Sequence, residues 1–148
     1  MDKFLFRAKR KDNGEWVQGI PHYGLAANLS VIVSIIPVAD FRGIKTHCFY
    51  DRVEVDENTI TQFTGRCASN GKKIFAGDIL KISSTSEFAY EEFEIVKFDK
   101  ERCGFKVYSD SGFTDGELPD AVGKDDEWLV EIVDNEFDTT KKWEWKGL

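Results

Sequence analysis

The segment that most constrains the fold runs from Thr59 to Ile82 and reads TITQFTGRCASNGKKIFAGDILKI. Two stretches rich in β-branched and aromatic residues lie in it, one on each side of Asn70-Gly71. An Asn-Gly pair readily takes the positive φ angles that tight hairpin turns require, and apolar strand patterns on both sides make it a strong hairpin signal. The segment therefore predicts antiparallel strands.

A second turn is predicted at Gly77-Asp78. The residues from Lys73 to Ser83 are consistent with two short strands, or with one bent strand, around this pair. Glycine relieves the steric cost of a sharp turn, and an aspartate side chain can accept nearby backbone N–H groups. We interpret Asp78 as a turn-stabilising carboxylate rather than a catalytic one.

The rest of the chain repeats this strand-and-turn pattern. Near the start, Phe4, Phe6 and Ala8 alternate with a largely charged set, Lys3, Leu5, Arg7 and Lys9, as in a half-buried strand. Asp12-Asn13-Gly14 predicts a hairpin turn, and a return strand begins at Trp16. Further strands are predicted over residues 29–38, 47–55, 93–98, 104–108 and 128–133, and residues 143–145 also alternate like a strand.

The central motif resembles that of the YopX family of bacteriophage and prophage proteins. The matching residues are Thr64, Gly65, Asn70, Gly71, Lys73, Ile74, Phe75, Gly77, Asp78 and Ile79. KFLFRAKR and GEWVQG near the start, and EIVDNEFD near the end, are similar to the first and closing segments of that family. The resemblance implies a mainly β protein with a small SH3-like barrel, from a mobile element and with no established activity. It implies a structural role for the motif and supplies no catalytic residue.

The length and composition allow a substantial core. Hydrophobic residues make up 41% of the 148 residues, with twelve Phe and four Trp. A chain of this size buries roughly two-thirds of its unfolded surface. We predict an N-terminal β-hairpin layer over residues 1–56 and the SH3-like barrel with a C-terminal extension over residues 57–148, with one continuous domain as the alternative.

Charge and cysteine usage bound the environment of the protein. The formal net charge is -7, and the last 48 residues hold 6 Lys and Arg against 13 Asp and Glu. Such a surface repels phosphate backbones. No apolar run approaches the about 20 residues of a membrane-spanning helix. Cys48, Cys67 and Cys103 are too widely separated to imply a disulfide framework. We expect a protein with reduced thiols in the cytoplasm of a bacterial host.

No residue pattern in the sequence specifies a reaction. The two His and three Cys form no Cys-x-x-Cys or His-x-x-x-His pair of the kind that zinc sites use. His47 and Cys48 are neighbours on a predicted strand, so their side chains are expected on opposite faces. We interpret Glu91, Glu92 and Glu94 as a solvated strand edge rather than a cation site. The expectation is that the protein is not an enzyme and binds no metal or cofactor.

Two surfaces are candidates for binding. Trp143 and Trp145 are residues of the type that anchors protein interfaces, and core packing is the equal alternative. Lys3, Arg7 and Lys9 share a strand face that could contact nucleic acid, although a charged outer face that protects a sheet edge gives the same pattern. The leading hypothesis is a non-enzymatic interaction module with an unknown protein partner. The second is weak nucleic-acid binding, and self-association through an open β edge is a further alternative.

Overall fold

The computed structural model describes residues 4–23, 30–39, 45–84, 90–112, 116–118 and 128–148, with the backbone alone for residues 23, 30–39 and 45–52. Their strands form two antiparallel sheets, which confirms the predicted mainly β fold class. The pairing of these strands does not close into a barrel, so the SH3-like barrel stays a prediction. The strands are β1 Phe6–Lys9, β2 Trp16–Tyr23, β3 Ser30–Ala39, β4 Lys45–Glu54, β5 Thr61–Cys67, β6 Lys73–Phe75, β7 Asp78–Ser84, β8 Glu91–Asp99, β9 Gly104–Ser109 and β10 Trp128–Asn135.

The chain divides into two compact units, Met1–Gln62 and Phe63–Leu148. The first contains β1 to β4 and the start of β5, and the second contains the rest of β5 and β6 to β10. The division falls a few residues after Asp56, where the sequence predicts a boundary.

Antiparallel hairpins build the N-terminal unit. β1 pairs with β2, β2 with β3, and β3 with β4. β2 changes partner along its length, because its first half pairs with β1 and its second half with β3. Phe6 and Arg7 of β1 also pair with the start of β5. The described core of this unit is the buried pair Ala8 and Val55, against which Val17, Val53 and Ile60 pack.

The first strand is shorter than its sequence pattern predicts. Ala8 is fully buried, as an inward-facing residue should be, but Phe4 precedes β1 and is 70% exposed. The predicted turn after β1 is present, with the N–H of Gly14 donating to the carbonyl of Arg10 at 3.0 Å.

The segment after β4 forms a 3-10 helix, Glu57–Thr59. Its N-cap is Asp56, whose side chain accepts the N–H of Asn58 at 3.0 Å. The hydroxyl of Thr59 accepts the N–H of Lys9 at 2.8 Å. This short helix therefore links the segment after β4 to β1.

The C-terminal unit is built on the sheet β10-β7-β8-β9. One face of this sheet contributes Leu80, Ile82, Val96, Val107 and Val130 to a hydrophobic cluster that also contains the buried Ala68 and Ile74. Ile79 and Ile95 alternate with members of this cluster along β7 and β8, and they are buried as well. The second face is therefore covered at these two positions, and β9 and β10 are the edges of the sheet. In the described part of the chain, no helix has the length and apolar character to cross a membrane.

Candidate interaction surface

The β5–β6 hairpin carries the first half of the central motif. The hydroxyl of Thr64 donates to the carbonyl of Ile74 at 2.9 Å. This bond lies where the β5–β6 pairing is irregular, between Phe63 and Cys67, and Gly65 lies in the same stretch. The Thr64 side chain thus links the two strands where regular pairing is interrupted.

The Asn70-Gly71 turn connects these two strands. Gly71 has a φ of 80° and donates its N–H to the carbonyl of Ala68 at 2.8 Å. The side-chain oxygen of Asn70 accepts the N–H of Lys72 at 3.0 Å. Beyond the turn, the ammonium group of Lys73 lies 6.0 Å from the centre of the Phe63 ring. The motif residues here contact one another and the strands that they join.

The Gly77-Asp78 turn separates β6 from β7, so this segment forms two strands rather than one bent strand. Asp78 is fully buried, and its Oδ2 accepts the N–H of Phe75 at 2.8 Å. Gly77 donates its N–H to the carbonyl of Val96 at 2.7 Å and accepts the N–H of Glu136 at 2.9 Å. The bond from Phe75 to Asp78 is the contact expected of a turn-stabilising carboxylate. The turn is also bonded to β8 and to the segment after β10.

Trp143 and Trp145 belong to an aromatic ladder, which we define as Phe93, Lys141, Trp143 and Trp145. The two indoles stack with centroids 5.1 Å apart and an interplanar angle of 13°. Trp143 also contacts the Phe93 ring at 5.1 Å, and the Lys141 ammonium lies 3.6 Å from the centre of a Trp143 ring. Both indoles are half-buried. The residues lie outside the strands, so the strand-like alternation of residues 143–145 does not form a strand.

The two tryptophans of the ladder have different contacts. Trp143 touches Phe93 of β8, and its indole N–H donates to the hydroxyl of Thr139 at 3.3 Å. For Trp145, the aromatic contact among the described residues is Trp143. Trp143 therefore packs on the sheet, whereas Trp145 stacks on Trp143 and remains partly exposed.

The basic residues of the first strand gather around Trp16. The guanidinium of Arg7 lies 4.5 Å, and the ammonium of Lys9 5.5 Å, from the centre of a Trp16 ring. Arg7 also donates to the hydroxyl of Thr61 at 3.4 Å. Lys3, the third predicted nucleic-acid contact, lies outside the described residues. The two described cations share a surface, but they occupy the indole that would otherwise offer a stacking platform for a base.

The acidic stretch at the start of β8 differs from its prediction. Glu91 is exposed and pairs with Lys81 at 2.8 Å, but Glu92 and Glu94 are each only 5% exposed. The interpretation of all three as a solvated edge is therefore wrong. Alternation places positions 92 and 94 on the same sheet face as the buried Val96.

Hydroxyl groups compensate the burial of Glu92. Its carboxylate accepts hydrogen bonds from Tyr90, Ser109 and Ser111. Burial, followed by the hydrogen bond to Glu92 and the charge of that carboxylate, raises the pKa of Tyr90 to about 12. The arrangement surrounds a buried carboxyl group at one end of the core with three hydroxyl donors.

The residues considered for metal or thiol chemistry do not form a cluster in the described part of the chain, where no three His, Cys, Asp or Glu are placed to hold a metal ion. Cys67 is half-buried and Cys103 is exposed, and both are free thiols. Backbone alone is described for His47 and Cys48, so their side-chain pairing stays a prediction.

An exposed apolar strip on β10 was missed at the sequence level. Trp128 is 50%, Leu129 37% and Val133 45% exposed, on an edge strand of the sheet. Trp128 meets Tyr90 edge to face at 5.6 Å. The run WLVEIV was the available signal, but its strand pattern did not show that the strand would lie at an edge.

The fold defines a mainly β protein of two antiparallel sheets with a buried Gly-Asp turn between β6 and β7. The family model described as YopX protein matches residues 5–137, and the chain therefore belongs to the YopX family. No curated protein and no solved structure matches the chain.

Proposed function

We propose that this protein is a non-enzymatic interaction module and that its aromatic ladder binds a partner protein with a basic surface. The observation that carries this proposal is the half-buried indole of Trp145, stacked on Trp143 at 5.1 Å. A ring that is already held in place loses little conformational freedom on binding, and tryptophan is prominent among interface hot spots.

The charge of the C-terminal unit favours a basic partner. Residues 63–148 hold twelve Lys and Arg against nineteen Asp and Glu, a net charge of -7. An acidic surface of this kind attracts a basic partner and repels a second copy of itself. The ladder would supply the contact, and the net charge of the whole unit would favour encounter, although segment 141–146 itself holds three lysines and one glutamate.

The proposal includes three finer statements that the family resemblance supports. These are an accessory role in a phage or prophage, location in the host cytoplasm, and an SH3-like barrel within the C-terminal unit. The antiparallel strands β7 to β10 are the framework from which such a barrel would be built.

The test is affinity capture of the tagged full-length chain from phage-induced host cells, with nuclease treatment and mass spectrometry. Wild-type protein is compared with Trp145→Ala and with Trp128→Ala, a matched loss of one partly exposed indole elsewhere on the same unit. We expect a basic, nuclease-resistant protein to be recovered with wild type and with Trp128→Ala. Recovery should fall at least about tenfold with Trp145→Ala, as for loss of an interface anchor.

Thermal unfolding of each variant separates a lost contact from a lost fold. Trp145→Ala should unfold close to wild type, whereas Trp143→Ala should be less stable because Trp143 also contacts Phe93. Full recovery of the partner by folded Trp145→Ala would overturn the proposal. Loss with Trp128→Ala alone would place the interface on β10 instead.

A further inference from the structure

Two adjoining clefts open on the C-terminal unit, with volumes of about 280 and 300 Å³. They share Lys106 and Gly116 as common wall residues. Lys146 lines the first cleft, and Arg66 and Arg102 line the second. Four cations from three separate parts of the sequence thus line two clefts that share wall residues.

The charge of these clefts opposes that of their surroundings. Glu117 is the one carboxylate among the described lining residues, against four cations, although acidic residues outnumber basic ones in the unit as a whole. The first cleft is lined by no described acidic residue at all. Clefts lined by one sign of charge focus the field and concentrate ligands of the opposite sign.

Lys106 is held in position at the shared wall. An ideal Cβ built on Gly116 would lie 2.7 Å from Lys106 Cε, so the absence of a side chain at Gly116 leaves room for the lysine stem. The ammonium group lies 4.8 Å from the centre of the Tyr108 ring. Arg102 has its side chain 71% exposed and lies 4.0 Å from the carboxylate of Asp99.

We infer that these two clefts bind the phosphodiester backbone of a single-stranded nucleic acid. Cations distributed over two adjoining clefts match a ligand with repeated negative charges better than a single anion. Each cleft also has an aromatic wall residue, but Lys106 lies over the Tyr108 ring in the first and Phe105 in the second packs against the hydrophobic cluster. The positive groove that single-strand binders use for the backbone is therefore the feature that carries the inference. The described residues that line the clefts are not members of the aromatic ladder or of the first strand.

The test is fluorescence anisotropy of a labelled oligothymidine of about 20 nucleotides, a length that exceeds the site of a small single-strand binder. The full-length chain is titrated at several salt concentrations. Each neutralised phosphate of a single strand contributes about -0.7 to the slope of log K against log salt, so the four cations predict a slope of about -3. The double variant R102E/K106E should bind at least about tenfold more weakly and with a shallower slope.

Two matched double reversals serve as controls. K72E/K142E makes the same change of net charge at exposed lysines that line neither cleft. R7E/K9E removes the basic face of the first strand. Both should keep the wild-type affinity if the clefts hold the strand. Lys106→Met keeps the aliphatic stem beside Gly116 and removes the charge, so it tests binding without disturbing that packing.

Several results would overturn the inference. These are no binding at low salt, equal weakening by K72E/K142E, or weakening by R7E/K9E alone. Displacement of the oligomer by inorganic phosphate at equal phosphate concentration would identify a small-anion site and would also overturn it. None of these outcomes depends on the partner captured through the ladder, so the two proposals stand or fall separately.

Discussion

Two glycine turns, one in each unit, have similar φ angles at the glycine and different surroundings. Gly14 has a φ of 73° and Gly77 a φ of 84°. Beside Gly14 there is open space, but a Cβ on Gly77 would lie 2.7 Å from Glu136 Oε1 and 3.1 Å from Phe137 Cε2. A positive φ alone therefore does not show how much a turn contributes to stability, because the packing around the glycine decides what a substitution would disturb.

The bonding of the two turns also differs. Gly14 bonds within its own hairpin, donating to Arg10, and the long-range bond at that turn is made by Lys11, whose N–H donates to the carbonyl of Glu54 at 3.1 Å. Gly77 itself is bonded to Val96 of β8 and to Glu136 beyond β10. Both turns therefore contact distant segments, and at the second turn the glycine itself makes those bonds.

The largest effect that would sharpen this comparison is expected at Asp78. Asp78→Ala removes the buried acceptor of the Phe75 N–H, which should lower the free energy of unfolding of the C-terminal unit by about 3 kcal/mol. Denaturant unfolding gives this value. Asp78→Asn keeps an acceptor oxygen and should cost less. As a control, Asp12→Ala removes an exposed aspartate at the first turn. An equal loss of unfolding free energy in Asp78→Ala and Asp12→Ala would contradict the difference between the two turns.

The next effect compares the two glycines directly. Gly14→Ala should cost about 1 kcal/mol, the usual strain of a left-handed non-glycine residue. Gly77→Ala should cost about 2 kcal/mol, because the added methyl also displaces Glu136, which forms an ion pair with Lys97. Both values come from denaturant unfolding of single variants. Equal losses at the two positions would show that the packing around Gly77 adjusts freely.

The smallest effect at neutral pH concerns Tyr90. Its pKa is raised from 10.0 to about 12 by burial and then by Glu92. The folded unit therefore binds this proton more tightly than the unfolded chain, so the contribution to stability is complete below pH 10 and is lost as the pH rises toward 12. Absorbance titration of tyrosinate measures the pKa directly.

Two variants isolate the causes of that shift. Tyr90→Phe should remove the stability change in the alkaline range, and it should lower neutral stability modestly because the buried Glu92 loses one hydroxyl donor. Glu92→Gln should lower the pKa of Tyr90, because it removes the carboxylate charge but leaves the burial. Ionisation of Tyr90 near pH 10 in the folded wild type would contradict this account.

Much of the fold could be predicted because strands and tight turns are local in sequence. Alternating residues predict β1 and β2, and Asn70-Gly71 predicts the β5–β6 hairpin. The family motif was recognisable for the same reason, since its residues fall within one short segment.

Contacts between distant segments could not be predicted in this way. Three acidic residues within four positions indicate exposure by composition, and only their register with Val96 reveals that Glu92 and Glu94 lie on the buried face. The hydroxyl of Ser109 reaches Glu92 only after β9 pairs with β8. The same holds for the clefts, whose cations come from β5, the β8–β9 turn, β9 and the C-terminal segment.

The bond between Gly77 and Glu136 also orders events during protein synthesis. The ribosome adds residues from the N-terminus, so the nascent turn at Gly77 emerges long before the segment that accompanies it in the finished unit. Until that segment emerges, the carbonyl of Gly77 cannot accept the N–H of Glu136 and is hydrated instead. Phe93 likewise lacks its contact with Trp143. The C-terminal unit therefore completes its folding late, and a translational pause before Asn135 would hold it in an open form exposed to chaperones and proteases.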